Sequence, residues 1–520
     1  MSQAISFSQA SDAGMGWVPD SVIHMLMRAL DSHADKPALT SDGVTLNYRE
    51  YAAVIAALAE RWRRYVKPGD RVVLILPNSL DLAVAIYAVH ALRAQVVALN
   101  PRYTARELSG VLADAQPVLV VYDDGSQFSP DLLTAALPAE QLLRIHAGAG
   151  FASMADAGMS LPDDLPGHND LATLQYTSGT SGRPKGVNIC HRQLAYNLAQ
   201  REALLPTVYG QERVLCVAPL FHVSAVAMSL HLACYAASEL VIHRRFEPAA
   251  ALRSIATQAI TLFSAVPTIF RGLMADPQAA HTDFSSLHYC YSGAAPLPET
   301  VLRQWDALTG CPILEGYGLS EAGPCLTYNP ALGERKVGSV GLPVPLSQIQ
   351  IVDVETGTQV LAAGVEGELR VRGPHVMAGY RNLPELTGTA LRDGWFYSGD
   401  IATQDDDGYV YIKGRKQDAI NVGGYTVHPR EIEEVLLEHP RVAQAAAFAV
   451  PDAYYGETVQ SWVVLRQQAA ASSADLIDFC KANLVRYKVP TAIGFTTELP
   501  TNSTGKLIRS KLLPVKQQVA

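Results

Sequence analysis

The stretch that decides the fold spans residues 176–187 and reads Tyr176-Thr177-Ser178-Gly179-Thr180-Ser181-Gly182-Arg183-Pro184-Lys185-Gly186-Val187. Its serine and threonine hydroxyls, its glycines and its lysine are typical of a loop that wraps a polyphosphate. Glycines let backbone N–H groups turn toward an anion, the hydroxyls add donors, and Lys185 adds a positive charge. The stretch therefore predicts a nucleotide-binding loop in an enzyme that uses ATP.

This loop differs from the P-loop of ordinary NTPases, which requires Gly-x-x-x-x-Gly-Lys followed by Ser or Thr. Counting from Gly179, the second glycine position holds Pro184, and Gly186 follows Lys185 where a magnesium-binding hydroxyl is needed. Taken alone, the stretch also fits an ordinary surface loop rich in turn-forming residues. The rest of the chain has to separate these two interpretations.

The composition is that of a globular protein able to bury a large core. The chain has 520 residues, of which 48% are apolar and 18% charged, and its length suggests several domain-sized units. A net charge of −9 argues against a general nucleic-acid binder, which needs a basic face. The 7 cysteines form no Cys-x-x-Cys pair, so we expect neither a disulfide framework nor a zinc site.

The chain carries no pattern that predicts export or stable membrane insertion. Residues 1–20 lack a basic region followed by an apolar run, and a long uncharged stretch, residues 220–238, contains His222 and His231. This stretch is better interpreted as a loop followed by a buried helix. Together with scattered reduced cysteines, it favours a cytoplasmic protein.

Strand and helix patterns alternate through most of the chain, which predicts parallel sheets with crossover helices. The predicted strands are 71–76, 95–99, 118–122, 213–217, 239–243 and 261–264, and the predicted helices are 79–92, 225–237 and 248–258. After residue 340 the pattern changes to strands separated by Gly and Asp turns, at 349–354, 367–372 and 409–413, which predicts an antiparallel or barrel-like sheet. A helix at 431–438, with Pro429 near its start, belongs to a small domain that begins after residues 415–418.

Further motifs follow the first loop in a definite order. They are Ser292-Gly293-Ala294-Ala295-Pro296, Glu315-Gly316-Tyr317-Gly318-Leu319-Ser320-Glu321, Tyr397-Ser398-Gly399-Asp400, Gly414-Arg415 and the lysine-bearing turn Pro500-Thr501-Asn502-Ser503-Thr504-Gly505-Lys506. Singly, Asp400 is as well explained by a turn, Tyr317 by core packing and Lys506 by a solvated surface. The ordered set, however, resembles the adenylate-forming (AMP-binding) superfamily, in its acyl-CoA synthetase and acid–CoA ligase branch. The resemblance covers nearly the whole chain, from Asn47 to Leu513.

The resemblance implies an α/β fold in two unequal parts. A large N-terminal domain, residues 1–414, would contain two α/β subdomains with parallel sheets plus a small β-barrel. A hinge at residues 415–418 would join it to a small mobile α+β domain at 419–520.

The same resemblance implies roles for individual residues, with ATP, Mg²⁺ and coenzyme A as cofactors. Thr177 and Glu321 are candidate magnesium ligands and, with His222 and Lys506, the candidate catalytic residues. Lys506 would contact the carboxylate and the α-phosphate, and His222 would lie near the acyl carboxylate, although a core histidine explains that position equally well. The implied nucleotide-binding residues are Ser178, Gly179, Thr180, Ser181, Gly182, Lys185, Gly293, Ala294, Ala295, Glu315, Gly316, Tyr317, Gly318, Ser320, Asp400 and Arg415.

A second half-reaction is implied by the resemblance to acyl-CoA synthetases. Gly423 and Gly424 would line the pantetheine tunnel after the small domain rotates; their alternative is a tight turn. The family usually has Asp or Lys two residues after the hinge arginine, and this chain has Gln417 there. We expect Gln417 to preserve the rotation and to change the balance between the two poses.

The acid is expected to be apolar. The predicted acyl pocket residues, Val223, Ser224, Val226, Val266 and Leu319, include no charge that could match an amino group. A medium- or long-chain fatty acid is the first expectation and a benzoate- or cinnamate-like aryl acid the second. An acyl-AMP ligase that loads an acyl carrier protein is a third possibility, and a homodimer is left open.

Overall fold

The structure is a computed structural model that describes residues 15–126, 128, 131–134, 136–177, 184–467, 469–501 and 507–515, without the side chains of 156 and 157. Most of the predicted phosphate loop and Lys506 lie outside these residues. Its α-helices are Val22–His33, Tyr48–Trp62, Leu80–Ala91, Ala105–Ala115, Asp131–Thr134, His191–Leu204, Val223–Ala225, Leu232–Tyr235, Pro248–Thr257, Pro267–Ala275, Glu299–Thr309, Pro384–Ala390, Pro429–Glu438 and Ser473–Asn483. Within the described ranges, no helix is long and apolar enough to cross a membrane.

The first sheet has seven strands and carries the predicted nucleotide loop. Three of its strands were predicted as members of a parallel sheet with crossover helices, and the parallel pairing of these three is confirmed. In spatial order the strands are Gly379–Tyr380, Lys185–Cys190, Leu171–Thr177, Gln95–Ala98, Arg71–Ile75, Leu119–Asp123 and Leu142–Ile145. The first three are joined by antiparallel pairs, so that the nucleotide loop connects the two arms of a hairpin.

The second sheet has nine strands and is parallel through its centre. In spatial order the strands are Leu342–Pro343, Thr327–Tyr328, Ile313–Tyr317, Tyr289–Ser292, Leu262–Ala265, Arg213–Cys216, Glu239–Ile242, Pro37–Ser41 and Val44–Asn47. Helix Leu80–Ala91 belongs to the main hydrophobic core, which includes residues of both sheets, and each of its residues is buried. This burial explains why the helix is apolar on all sides.

The predicted helix at 225–237 has an irregular course. It begins as an α-helix at Val223–Ala225, continues as one π-helical turn at Val226–His231, and returns to α-helix at Leu232–Tyr235. A π-helix bonds residue i to residue i+5, and single π turns within α-helices frequently occur at functional sites. The turn therefore makes this helix a candidate part of the functional site.

A third sheet is antiparallel and has five strands. Its long strand Trp395–Gln404 pairs with Gly367–Arg372 on one edge and with Leu391–Arg392 and Val410–Arg415 on the other, and Gln348–Val352 completes it. This half-barrel matches the predicted barrel-like element, although the described strands form an open sheet. It brings Asp400 and Arg415 into register as direct partners.

The C-terminal part has its own sheet and its own hydrophobic core, which contains only residues after 419. The sheet consists of Tyr425–Val427, Ile420–Val422, Gly456–Leu465, Val442–Asp452 and Ala492–Phe495. The predicted helix is present at Pro429–Glu438 with its proline in the first turn. Arg271 and Arg430 each donate a hydrogen bond to a backbone carbonyl across the two parts, to Ala443 at 2.9 Å and to Ile412 at 2.7 Å.

Candidate active site

The nucleotide loop is anchored at both ends. Thr177 ends one strand, Lys185 begins the next, and the two residues are direct partners across the antiparallel ladder. The Tyr176 hydroxyl donates to Asp114 Oδ2 at 2.5 Å, which holds the first strand against a neighbouring helix. The predicted loop ligands Ser178, Gly179, Thr180, Ser181 and Gly182 lie outside the described residues.

A carboxylate and a phenol meet beside this hairpin. Glu321 lies in a short 3-10 turn, and its Oε1 accepts a hydrogen bond from the Tyr380 hydroxyl at 3.0 Å. The ammonium group of Lys185 lies 5.6 Å from the centre of the Tyr380 ring. Burial and the Glu321 charge raise the pKa of Tyr380, so this phenol stays protonated and donates. Glu321 is thereby oriented near the base of the phosphate loop.

A second polar cluster is centred on Asp400, which is buried. Its Oδ1 forms an ion pair with Arg415 Nε at 2.7 Å, and its Oδ2 accepts a short hydrogen bond from the Tyr317 hydroxyl. Tyr317 comes from the second sheet, while Asp400 and Arg415 come from the half-barrel. Burial, and then the Asp400 charge, raise the pKa of Tyr317 well above its usual value. The structure thus joins three of the predicted nucleotide residues in one network.

Small residues of the implied nucleotide site lie where the turn after residue 292 meets the neighbouring strand. A Cβ on Gly293 would lie 3.2 Å from the Gly316 carbonyl oxygen, and one on Gly316 would lie 2.4 Å from the Tyr328 ring. Ala294 adopts a positive φ of 64°, an uncommon conformation for a residue with a side chain. The neighbouring strands therefore approach closely here, and the backbone of the 293–295 turn is held in a strained form.

Glu315, the first residue of the 315–321 motif, has contacts different from those of Tyr317 and Glu321. Its carboxylate accepts a hydrogen bond from the Leu297 N–H at 3.1 Å and is only 4% exposed. Burial raises its pKa to about 7, although Arg430 of the C-terminal part opposes the shift. Glu315 therefore stabilises the turn after residue 292, and its carboxylate interacts electrostatically with Arg430 of the C-terminal part.

His222 stands at the entrance to the helix that contains the π turn. Its Nδ1 lies 2.8 Å from the Ser224 hydroxyl, so Ser224 orients the imidazole. The adjacent Phe221 carbonyl accepts a hydrogen bond from Gln175 Nε2 at 3.3 Å. Since Gln175 lies on the same strand face as Thr177, His222 is held near the strand end that begins the nucleotide loop.

A narrow, mostly apolar cavity lies next to His222, beginning at Val223. Its walls combine the first sheet with the π-helical segment, and they include Thr173, Gln175, Val223, Val226, Ala227 and His231. Of the predicted acyl residues, Val223 and Val226 line the cavity. Ser224 bonds to His222 instead, Val266 precedes helix Pro267–Ala275, and Leu319 packs against the main core.

The hinge and the glycine loop lie apart from these clusters. Gln417 is exposed in the 3-10 turn Lys416–Asp418, and Lys416 Nζ pairs with Glu368 at 3.1 Å. Gly423 and Gly424 form the two-residue turn of a hairpin, with φ of 58° and 91°, as a type I′ turn requires. Both glycines are exposed, so in this arrangement the hairpin faces solvent.

The sequence did not predict Tyr380 as a site residue, nor the cavity residues that belong to the first sheet. For the cavity a signal existed, because Thr173 and Gln175 alternate with apolar residues on a strand that ends at Thr177. For Tyr380 the only signal was an aromatic residue between Gly379 and Arg381. Nothing in the linear sequence connects that triplet with Glu321.

The residues present fit a magnesium ion bound with a nucleotide. Mg²⁺ is usually held by one or two carboxylates together with substrate phosphates and water. Glu321 supplies a carboxylate that Tyr380 orients, and Thr177 supplies a hydroxyl at the start of the phosphate loop.

Comparison with protein families identifies two matching models. One, described as AMP-binding enzyme, matches residues 26–381. The other, described as AMP-binding enzyme C-terminal domain, matches residues 431–506.

The chain is also similar to individual proteins over nearly its full length. It is 36% identical to a long-chain-fatty-acid–CoA ligase of Bacillus subtilis strain 168, covering 92% of this chain and 91% of that protein. It is 35% identical to a feruloyl-CoA synthase of an Amycolatopsis species, covering 91% and 95%. Among solved structures, an o-succinylbenzoate coenzyme A synthetase of Bacillus subtilis, in complex with ATP and magnesium ion, matches with a TM-score of 0.82 at 27% identity, covering 94% and 98%.

Proposed function

This chain belongs to the AMP-binding enzyme family, and on that basis we propose that it joins a medium- or long-chain fatty acid to coenzyme A. The chain is an acid–CoA ligase that uses ATP, Mg²⁺ and CoA. The observation that carries the choice of acid is the cavity beside His222. Its lining side chains are apolar or neutral, which favours an alkyl chain over a charged amine.

The proposed first step forms an acyl adenylate and releases pyrophosphate. A carboxylate and ATP repel each other, so the site has to neutralise charge before they react. Lys185 supplies positive charge at the phosphate loop, Asp400 binds the ribose hydroxyls, and Lys506 stabilises the charge that develops at the α-phosphate. Thr177 and Glu321 would hold Mg²⁺, which would supply positive charge against the phosphate oxygens.

The proposed second step follows rotation of the small domain about residues 415–418. The domain limits are then residues 1–414 and 419–520, as the separate hydrophobic cores support. Rotation removes Lys506 and brings the hairpin of Gly423 and Gly424 toward the acyl group. The CoA thiol attacks the acyl carbon, and AMP leaves.

The test is pyrophosphate release from MgATP with a panel of carboxylic acids, each with and without CoA. Catalytic release that requires both CoA and a fatty acid supports the proposal. A stoichiometric burst that CoA does not extend indicates a carrier protein as acceptor. If no acid causes release, the proposed function is wrong.

An aryl acid is the second candidate, and the feruloyl-CoA synthase relative favours it. Cinnamate- and benzoate-type acids in the same panel decide between the two classes. We also propose a cytoplasmic location, since each cysteine is a free thiol. Sedimentation of the active protein distinguishes a monomer from the homodimer that the sequence left open.

A further inference from the structure

The loop that carries His222 has no regular secondary structure. It spans residues 217–222, between strand Arg213–Cys216 of the second sheet and the helix that begins at Val223. Within the loop, the His222 N–H donates to the Pro219 carbonyl at 2.9 Å. The other backbone polar groups of such a loop need partners from outside it, so side chains of neighbouring elements can determine where the loop lies.

Asn78 makes three hydrogen bonds to backbone groups, two of them in this loop. Its Nδ2 donates to the Ala218 carbonyl at 2.9 Å and to the His243 carbonyl at 3.2 Å, and its Oδ1 accepts from the Leu220 N–H at 2.8 Å. These partners fix the orientation of the amide, because a flipped amide would turn its oxygen toward two carbonyl oxygens. Asn78 is buried and Leu220 fully so, and a change at Asn78 therefore leaves a buried group without its partner.

Asn78 connects the loop to both sheets. It follows strand Arg71–Ile75 of the first sheet, whereas Ala218 and His243 each follow a strand of the second sheet. The strands concerned belong to parallel pairs. In parallel α/β sheets, ligands bind beyond the carboxyl ends of the strands, and Asn78 holds the loop at that edge of both sheets.

Gln175 holds the other end of the loop. Its Nε2 donates to the carbonyl of Phe221, the residue before His222, at 3.3 Å. Gln175 also precedes Thr177 by two residues on one strand, so the two side chains point to the same face. The end of this strand therefore locates the start of the phosphate loop and, through Phe221, the backbone of His222.

The Ser224 hydroxyl cannot replace these contacts. It lies 2.8 Å from His222 Nδ1 and orients the ring, but Ser224 belongs to the same segment and would move with His222. The place of the imidazole relative to the two sheets depends on the bonds from Asn78 and Gln175. A displacement of about 1 Å in a reacting site can lower a rate by about a hundredfold, so these bonds have the reach to affect catalysis.

We propose that Asn78 and Gln175 are positioning residues for the acid, which hold the 217–222 loop so that His222 meets the acyl carboxylate beside the phosphate loop. The inference rests on the proposed acid–CoA ligase function and on the place that it gives to His222. Both residues act through the loop backbone and not by contact with a reacting atom.

The test measures adenylate formation by the full-length protein with MgATP and an acid that the wild type activates. Gln175→Leu should lower kcat/KM for the acid by about fivefold, as expected for one neutral hydrogen bond. Asn78→Asp should lower it by about tenfold or more, because a carboxylate still accepts from the Leu220 N–H but opposes two carbonyl oxygens. The KM for MgATP should stay near the wild-type value in both variants.

Double-mutant cycles show whether the two residues act through His222. Without the imidazole there is nothing left to position, so Gln175→Leu and Asn78→Asp should have a much smaller effect in the His222→Ala background than in the wild type. Gln95→Leu is the matched control, since Gln95 Nε2 donates to the Thr173 carbonyl at 3.0 Å in the same sheet but outside the loop. Its effect should be the same in both backgrounds.

The outcomes separate the inference from the function on which it rests. Additive effects with His222→Ala, unchanged acid kinetics in Gln175→Leu and Asn78→Asp, or a wild-type rate in His222→Ala each overturn the inference. Should Asn78→Asp fail to fold, as circular dichroism would show, Gln175→Leu decides alone, because Gln175 is only half-buried. A wild type that activates no acid overturns the proposed function, and the inference with it.

Discussion

The Asp400 carboxylate, which is proposed to bind the ribose of the nucleotide, already interacts with donor groups of the protein. Tyr317 and Arg415 both bond to its carboxylate, from opposite sides of the junction between the second sheet and the half-barrel. A ribose that binds Asp400 has to share the carboxylate with these donors. Arg415 directly precedes the turn proposed as the hinge, so the proposed ribose site and the proposed hinge are neighbours in the chain.

Tyr380→Phe tests the hydroxyl that orients Glu321. A hydrogen bond to a charged group contributes about 1.5–3 kcal/mol, so its loss should lower kcat/KM for MgATP by about tenfold or more. The Mg²⁺ concentration needed for half-maximal activity should rise as well, because Glu321 becomes less well positioned.

Tyr411→Phe is the matched control for this change, since its hydroxyl donates to Asp405 at 3.1 Å outside the candidate site. Both variants lose one tyrosine–carboxylate hydrogen bond. An equal effect of the two on Mg²⁺ dependence would contradict the role given to Tyr380.

Glu315→Gln tests the raised pKa of the buried carboxyl group. The folded protein holds this proton up to about pH 7, whereas the unfolded chain releases it near its usual value of 4.5. The folded state therefore binds more protons between these values, and stability should fall by about 3 kcal/mol as the pH rises through them. Glutamine does not titrate, so the variant should lose this part of the decline.

Urea unfolding at several pH values from 4.5 to 7.5 measures how the free energy of unfolding of the wild type and of Glu315→Gln changes with pH. Glu60→Gln, at an exposed ion pair on a helix, should retain the wild-type pH dependence. If the free energy of unfolding changes with pH in the same way in the wild type and in Glu315→Gln, the pKa of Glu315 is not raised as described.

Among the secondary-structure elements, the 3-10 turn Lys416–Asp418 is the one that would change conformation in the proposed rotation. The strand before it is held by the Arg415–Asp400 and Lys416–Glu368 ion pairs, and the strand after it belongs to the separate C-terminal core. The proposed rotation would therefore be concentrated in a few backbone angles. Hinges of this kind absorb large changes in φ and ψ at one or two residues.

Gln417→Pro should retain adenylate formation and lose thioester formation. Proline fixes φ near −65° and also restricts the residue before it, so the hinge loses the freedom to rotate. Acyl-AMP formation and acyl-CoA formation are measured separately, with Gln417→Ala as a control that keeps the backbone free. Equal loss of both half-reactions in the proline variant would refute the hinge assignment.

For the molecule as a whole, the separate hydrophobic core of the C-terminal part predicts that the larger part folds without it. A fragment of residues 1–418 keeps the half-barrel strand Val410–Arg415 and every residue of the Asp400 network. We expect it to unfold cooperatively and to bind ATP, but to release no pyrophosphate, because Lys506 is missing. Circular dichroism and calorimetric ATP titration check this expectation, and an unfolded fragment would contradict the domain limits.

The sequence predicted elements whose signal is local and could not predict those created by contacts. The run at residues 71–76 gave a strand within a residue of the observed Arg71–Ile75, because a short β-rich apolar run ending at proline is itself diagnostic. The π turn at Val226–His231 was not predictable, since its residues look like any buried helix. Val96 and Thr173 lie far from residue 222 in the chain, so only the packing of the first sheet reveals the cavity.

The two consecutive ion pairs before Gln417 fix the point from which the proposed rotation would start. They tie Arg415 and Lys416 to the larger part, so the pivot would begin at the next residue. A domain of this size is about 33 Å across, so a turn of about 60° at the pivot would carry its far edge over a comparable distance. Such a displacement would present a different face of the small domain to the site without disturbing its hydrophobic core, and it would break polar contacts such as those of Arg271 and Arg430.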